Sequence, residues 1–180
     1  DKAFSIADTE HLLTYGTTLK QQKVTGSRSG TGTCLAAGLR CAGPGAVSPD
    51  VLAKASDFPD PTINTYSLFV QDQINWDNWT FLPGVRYDYT ELKPDVTQEF
   101  LNTVAADGRG TVSDQKKTWN RVSPKFGLTY AFNDNYTWFG QYAEGFRTPT
   151  AKALYGRYEN TTTGYSVQPN PDLEPETSKG

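Results

Sequence analysis

The feature that most constrains this chain is a two-residue alternation of apolar and polar side chains in several long segments. From Trp79 to Tyr89, every second residue is aromatic, aliphatic or proline, and the residues between them are mostly polar or small. A period of two places alternate side chains on opposite faces of a β-strand. The sequence therefore predicts an all-β chain of antiparallel strands near 9–24, 62–76, 79–92, 120–132 and 136–148, with a sixth beginning after about Asp172.

The predicted connections between these strands are either very short or very long. Residues 77–78 and 133–135 join strands through Asp and Asn, which tolerate the conformations of tight hairpins. The remaining connections are long, at about 25–61, 93–119 and 148–172. Short turns at one end and long loops at the other are typical of barrels in the bacterial outer membrane, where the long loops are extracellular.

The apolar face of the strands is expected to contact lipid. Trp76 and Trp79 flank a short turn, as aromatic residues do at a membrane interface. The opposite face carries charges such as Arg86 and Lys125, which suit a polar lumen. A soluble β-sandwich or barrel is the alternative, but it gives little reason for three long loops on one side. The residues predicted to face lipid are Phe81, Val85, Tyr87, Phe126, Leu128 and Trp138.

Composition narrows the function classes. The net charge of -3 argues against nucleic-acid binding, and the sequence has no apolar run long enough for a transmembrane helix. It also lacks a Ser/His/Asp set, a phosphate-binding loop and a close pair of carboxylates, so we do not expect an enzyme. Five strands and the start of a sixth are fewer than the eight that a bacterial barrel needs. The chain is therefore predicted to be one part of a larger barrel.

Two cysteines, Cys34 and Cys41, lie in a stretch rich in glycine and alanine within the first long connection. An even pair in an exposed loop fits an oxidising compartment and predicts a disulfide. A zinc site would need more ligands, and the single histidine, His11, is distant in sequence.

Two segments resemble the barrel of TonB-dependent outer-membrane receptors: SLFVQDQINWDNWTFLPGVRYDY, Ser67 to Tyr89, and SPKFGLTYAFNDNYTWFGQYAEGFRTPT, Ser123 to Thr150. FRTP (146–149) and PNPDL (169–173) are similar to the Phe-Arg-Ala-Pro and Asn-Pro-Asn-Leu blocks that bracket one extracellular loop in the haem and haemoglobin receptors of this family. The sequence departs from the blocks at Thr148, where alanine is expected, and at Asp172, where asparagine is expected.

The resemblance implies that residues 1–180 are a segment of a 22-stranded transmembrane barrel in the bacterial outer membrane. It further implies a plug domain, absent from this chain, that engages TonB through a TonB box. The implied function is uptake of haem from free haem or a haemoprotein at the cell surface. Two alternatives stay open: a ferric-siderophore receptor, because related blocks occur there, and a passive porin or adhesin barrel, which would lack the paired blocks.

Many haem receptors of this family carry an iron-binding histidine between the two blocks, but this sequence has none there. Phenolate is an accepted axial ligand of ferric haem, so a loop tyrosine is the candidate replacement. We predict Tyr158 as the ligand, because it follows Arg157 and lies near the position of the family's histidine. Arg157 and Lys152 are candidate partners of the haem propionates. Tyr155 and Tyr165 are the alternative ligands, and packing is the simpler role for each of these tyrosines.

Overall fold

The alternating segments form the long strands of one antiparallel sheet. The computed structural model describes residues 1–26, 56–101, 114–156 and 164–180, together with the backbone of 34–36, 39–41 and 158–160. Its strands are β1 (Lys2–Ile6), β2 (Thr9–Lys23), β5 (Asp60–Trp76), β6 (Trp79–Asp95), β7 (Lys117–Asn133), β8 (Tyr136–Arg147) and β11 (Glu176–Lys179). They follow one another in the sheet in the same order as along the chain.

Smaller elements lie within the long connections. Two two-stranded hairpins are formed by β3 (Cys34–Ala36) with β4 (Leu39–Cys41), and by β9 (Tyr158–Asn160) with β10 (Tyr165–Val167). A short helix, α1 (Ala151–Tyr155), follows β8, and one helical turn is present at 98–101. Among the described residues, no helix has the length and apolar character required to cross a membrane.

The predicted all-β, antiparallel architecture is confirmed, but the predicted strand count is wrong. The structure has seven strands in the main sheet because β1 pairs with the beginning of β2. β1 is only 5 residues long, too short for alternation alone to distinguish it from a loop. The ends also differ: β6 continues to Asp95 and β7 begins at Lys117. Apart from Pro94 and Trp119, these extensions are polar, and they do not continue the apolar alternation.

All three short turns lie at one end of the sheet. They connect β1 to β2 at residues 7–8, β5 to β6 at 77–78, and β7 to β8 at 134–135. Ala7 and Asp77 adopt positive φ angles of 51° and 52°, as tight hairpins require. The long connections 24–59, 96–116 and 148–175 therefore leave the sheet at its other end.

The register separates the sheet into an apolar face and a polar face. Val70 pairs with Val85, which pairs with Pro124, and Leu68, Tyr87 and Val122 form a second such row. These apolar side chains are largely exposed; Leu68 is 60% accessible and Val122 is 54% accessible. All six residues predicted to face lipid share this face with them: Phe81 opposite Leu128, Val85 opposite Pro124, Tyr87 opposite Val122, Phe126 opposite Pro83, and Trp138 opposite Tyr130.

Aromatic pairs bound the apolar face at both ends. Near the short turns, the rings of Trp79 and Tyr130 are 4.3 Å apart, and near the long loops those of Tyr66 and Tyr89 are 6.1 Å apart. From Tyr66 to Trp76 a strand advances about 33 Å at about 3.3 Å per residue. At a tilt of about 45° this length spans about 23 Å, close to the apolar band of a membrane barrel.

The polar face is lined by hydrogen-bonded and charged side chains. Arg86 Nε donates to both carboxylate oxygens of Asp88 at 2.9 and 3.0 Å, and Ser67 donates to Asp88 at 2.5 Å. Two glycines leave room for side chains that lie flat on this face. A Cβ on Gly16 would come within 2.9 Å of the Phe69 ring, and one on Gly84 would come within 2.7 Å of Lys125.

Candidate functional site at the loop between the two blocks

The two sequence blocks are brought together by antiparallel pairing of β8 with β11. Arg147 lies opposite Glu176, and Phe146 lies opposite Thr177. The loop between them, 148–175, therefore leaves and re-enters the sheet at neighbouring strands. The Arg147 and Glu176 side chains approach to only 3.9 Å and are 75% and 79% exposed, so their ion pair adds little stability. Backbone pairing is what closes the base of this loop.

The first part of the loop is anchored on the sheet by α1. The Thr150 hydroxyl caps the helix by accepting a hydrogen bond from the Ala153 N–H at 3.2 Å. Leu154 is completely buried, and Ala151 and Tyr155 are also buried. This helix packs on Leu92, with Phe58, Ile63, Trp119 and Leu173 around it. Because Ile63, Leu92 and Trp119 belong to the polar face by register, α1 lies over that face at its loop end.

Tyr155 is part of this packing. Its side chain is 2% accessible, and its hydroxyl donates a 2.7 Å hydrogen bond to the backbone carbonyl of Gln115. Burial raises the pKa of the Tyr155 phenol, which opposes formation of a phenolate. Tyr155 therefore ties loop 148–175 to the connection before β7. Sequence reasoning missed Gln115, because a backbone carbonyl leaves no trace in a sequence pattern.

The second part of the loop forms the β9–β10 hairpin. In its register Tyr158 lies opposite Val167, and Tyr165 lies opposite Asn160. Since alternate residues share a face, Tyr158 and Tyr165 occupy positions on the same face of the hairpin, diagonal to one another. Tyr165 is 58% exposed and follows Gly164, whose φ is 68°. Arg157 lies outside the described residues, and the structure describes only the backbone of Tyr158.

Lys152 is in α1, and its side chain is exposed. Its carbonyl accepts a 2.9 Å hydrogen bond from the Gly156 N–H at the end of the helix. Five residues, 153–157, separate Lys152 from Tyr158 at the start of the hairpin. The structure thus brings Tyr158 and Tyr165 together on one hairpin and places Lys152 on the helix before it, while it buries Tyr155 in the anchor.

His11 lies at the opposite end of the sheet, close to the short turns. Its Nδ1 is 2.6 Å from Oδ2 of Asp72, and Phe4 stacks on its ring at 4.9 Å. Asp72 is the polar exception in the alternation of β5: His11 pairs with its Oδ2, whereas its buried Oδ1 has no hydrogen-bond partner among the described residues. His11 therefore lies at the end of the sheet opposite to loop 148–175.

Cys34 and Cys41 lie directly opposite each other in the β3–β4 hairpin. The structure describes only the backbone there, so the predicted disulfide stays a prediction. Facing positions on antiparallel strands bring Cβ atoms to about 4.5–5.5 Å, near the separation that a disulfide needs.

A seven-stranded antiparallel sheet with an apolar face, short turns at one end and long loops at the other is typical of a β-barrel of the bacterial outer membrane. Residues 5–180 match the family model described as "TonB dependent receptor-like, beta-barrel". The chain belongs to this family, whose members are outer-membrane proteins.

The chain is also similar to individual receptors named for hemin or heme. The chain is 29% identical to the hemin receptor of Yersinia enterocolitica over 99% of its own length and 21% of the relative's length. It is 28% identical to the TonB-dependent heme receptor A of Haemophilus influenzae strain 86-028NP, over 62% of the chain and 15% of the relative. The chain thus spans about a fifth or less of these receptors.

A solved structure has the same fold. It is a double mutant of the Serratia marcescens hemophore receptor HasR in complex with its hemophore HasA and heme. The TM-score is 0.64 over 98% of this chain and 26% of that one, at 17% sequence identity. The identity is too low to transfer ligand contacts, so this likeness establishes the fold alone.

Proposed function

We propose that this chain is part of a TonB-dependent receptor that takes up haem across the bacterial outer membrane, with Tyr158 as an axial ligand of the ferric iron. In this proposal the apolar face contacts lipid, and the long loops face the cell exterior. A plug domain encoded outside this chain engages TonB and supplies the opposite iron ligand. The haem arrives free or carried by a haemoprotein.

The observation that carries the proposal is the construction of loop 148–175. The FRTP and PNPDL blocks meet at paired strands, α1 fixes the first part of the loop, and the β9–β10 hairpin follows directly. Tyr158 is therefore on an element that begins three residues after a fully packed anchor. A ligand held this way loses less conformational freedom on binding than one on a flexible loop. The similarity to hemin receptors along nearly the whole chain supports the same substrate.

The chemistry of Tyr158 fits ferric haem as the transported substrate. A free tyrosine has a pKa near 10, so its proton must leave on coordination. Ferric iron favours the anionic oxygen, and a neighbouring guanidinium, here that of Arg157, favours it further. Burial in the anchor makes Tyr155 the weaker candidate, which leaves Tyr165 on the same hairpin face as the main competitor. Lys152 and Arg157 are the proposed partners of the haem propionates.

The test is a titration of the purified full-length receptor with hemin, followed by absorbance in the Soret region. Tyr158→Phe keeps the aromatic ring and removes only the oxygen. It is expected to shift the ferric haem spectrum and to weaken haem retention and haem-dependent growth, while folding is unchanged. Tyr155→Phe and Tyr165→Phe are the matched controls and are expected to have much smaller spectral effects.

The outcomes separate the alternatives. An unaltered spectrum and normal growth for Tyr158→Phe would reject the ligand assignment. Loss in Tyr165→Phe instead would keep the haem function and move the ligand to Tyr165. A wild-type receptor that gives no Soret response to hemin but binds a ferric siderophore would replace haem by that second substrate class.

A further inference from the structure

The apolar face of the sheet carries a groove that extends across β2, β5 and β6. Its volume is about 580 Å³. On the apolar face it is lined by two rows of paired residues, Thr17, Leu68 and Tyr87 in one row and Tyr15, Val70 and Val85 in the next. The two tyrosines occupy diagonally opposite corners of this block, and the smaller Thr17 and Val85 occupy the other two. Two phenol rings therefore flank a floor formed by Leu68 and Val70 of β5.

The side chains of this groove are open to whatever surrounds the sheet. Tyr15 and Tyr87 are 61% and 40% exposed, and Leu68 and Val70 between them are also exposed. A contiguous apolar patch of this kind marks an interaction surface. Because the patch lies between the aromatic pairs that bound the apolar face at its two ends, the surrounding medium in the proposed receptor is the bilayer. The occupant that fits an apolar groove at this position is the acyl chain of a lipid.

The register sets the depth of the groove in that bilayer. Tyr66 and Tyr89 form the aromatic pair near the long loops, and the rows of Leu68 and Val70 lie two and four residues further along β5. At about 3.3 Å per residue and a tilt of about 45°, these rows lie about 5 and 9 Å further into the apolar band. The groove is therefore at the level of the first carbons of acyl chains in the leaflet next to the long loops.

Both tyrosines bring a hydroxyl group to this apolar surface. Within the described part of the chain, neither the Tyr15 hydroxyl nor the Tyr87 hydroxyl has a hydrogen-bond partner. In water such a group bonds to the solvent, but the bilayer core holds no water that could take this role. A tyrosine hydroxyl that is removed from water usually has a partner. The partner must then come from the lipid, above all for Tyr15, which lies in the deeper row.

We propose that the groove binds a lipid acyl chain that carries an oxygen atom near its start, of the 3-hydroxyacyl type, with Tyr15 as the hydrogen-bond partner of that oxygen. The inference rests on the proposed contact between the apolar face and lipid. Leu68 and Val70 contact the hydrocarbon, and the Tyr15 hydroxyl bonds to the oxygen on the chain. Tyr87, in the row nearer the membrane surface, meets the ester groups that acyl lipids share.

The test compares two phosphatidylcholines, one with 3-hydroxymyristoyl chains and one with myristoyl chains, on the purified full-length receptor. Both lipids are supplied in equal amounts in detergent micelles, and native mass spectrometry counts the molecules of each that the receptor retains. Because the head groups are identical, the ratio of the two lipids reports on the chains alone. We expect the wild-type receptor to retain the hydroxylated lipid about fivefold better, which is the effect of one hydrogen bond.

Three variants separate the hydroxyl from the groove. Tyr15→Phe keeps the ring and removes only the oxygen, so it should abolish the preference while the receptor still retains both lipids. Tyr66→Phe is the matched control and should keep the preference, because Tyr66 is on the same face and 48% exposed but does not line the groove. Val70→Phe fills the floor of the groove and should lower the retention of both lipids alike.

The site is disproved if the wild-type receptor shows no preference, if Tyr15→Phe keeps the preference, or if Val70→Phe retains both lipids as well as the wild type does. The alternative occupant is a second copy of the receptor. A dimer in the wild-type spectra that Val70→Phe converts to a monomer would overturn the lipid site in favour of that contact. Failure of the proposed haem function gives a different result, the absence of a Soret response to hemin, which does not depend on the lipid supplied.

Discussion

The seven-stranded sheet, here called the wall, and loop 148–175 differ in the exposure of their apolar side chains. On the wall, Leu68 and Val122 are more than half exposed, whereas in the loop layer Leu154 and Tyr155 are buried against the sheet. The difference follows from the surroundings of each region. Apolar side chains that face lipid need no protein cover, but those of a loop in water are stable only when they are packed. The contrast therefore agrees with the proposal that the apolar face of the sheet contacts lipid, whereas the loop lies in water.

Replacing Leu154 by alanine should give the largest effect, because it removes the most buried side chain of the loop anchor. Leucine-to-alanine changes at buried positions cost about 2–5 kcal/mol. We expect early unfolding of loop 148–175 and weaker haem binding, measured by limited proteolysis and by hemin titration of the full-length receptor. Leu19→Ala, at a position on the sheet that is 74% exposed, is the control. If the two changes had equal effects, the difference in burial between the sheet and the loop would have no energetic consequence.

Leu128→Lys probes the wall in the same way. A lysine on the lipid-facing side near the bilayer centre costs about 2–4 kcal/mol, measured as unfolding free energy in lipid vesicles. Thr129→Lys adds the same group one residue away on the polar face, where water can solvate it, and should cost much less. If Thr129→Lys were the more damaging change, the two faces would have been assigned the wrong way round.

The Cys34–Cys41 pair extends the comparison to another loop element. We expect a disulfide that contributes at most about 3 kcal/mol, because it closes a short ring. Mass spectrometry of the folded receptor after alkylation without reductant should find no free thiols. Two alkylated cysteines in folded protein would contradict the prediction, and Cys34→Ser with Cys41→Ser gives the reference mass.

The smallest expected effect is that of Tyr155→Phe, which keeps the ring and deletes the hydrogen bond to Gln115. Loss of one such bond costs about 1 kcal/mol. Hemin affinity should fall slightly as the loop loosens, while the Soret maximum stays where it is. A shifted maximum would show that Tyr155 contacts the iron, contrary to its buried position.

Much of the sheet was predictable from the sequence, because a strand with one apolar and one polar face must alternate between the two kinds of residue. The segment from Trp79 to Tyr89 therefore gave its strand, and the register later placed Phe81, Val85 and Tyr87 on one face as predicted. The turns at 77–78 and 134–135 could also be predicted from the local sequence, since Asp and Asn favour tight hairpins. β1 was not predicted, because its own pattern is too short to indicate a strand; its pairing with β2 makes it one.

The candidate site was likewise predictable from the sequence only in part. The residue types and their order between FRTP and PNPDL were enough to select Tyr158, Tyr155 and Tyr165 as candidate ligands, because few side chains in that loop can bind ferric iron. Only the tertiary structure separated them, by burying Tyr155 against Leu92 and Trp119 and by placing Tyr165 on the hairpin of Tyr158. Local sequence sets chemistry and periodicity, whereas the burial of Leu154 beside Leu92 and the pairing of Arg147 with Glu176 depend on contacts between residues far apart in the chain.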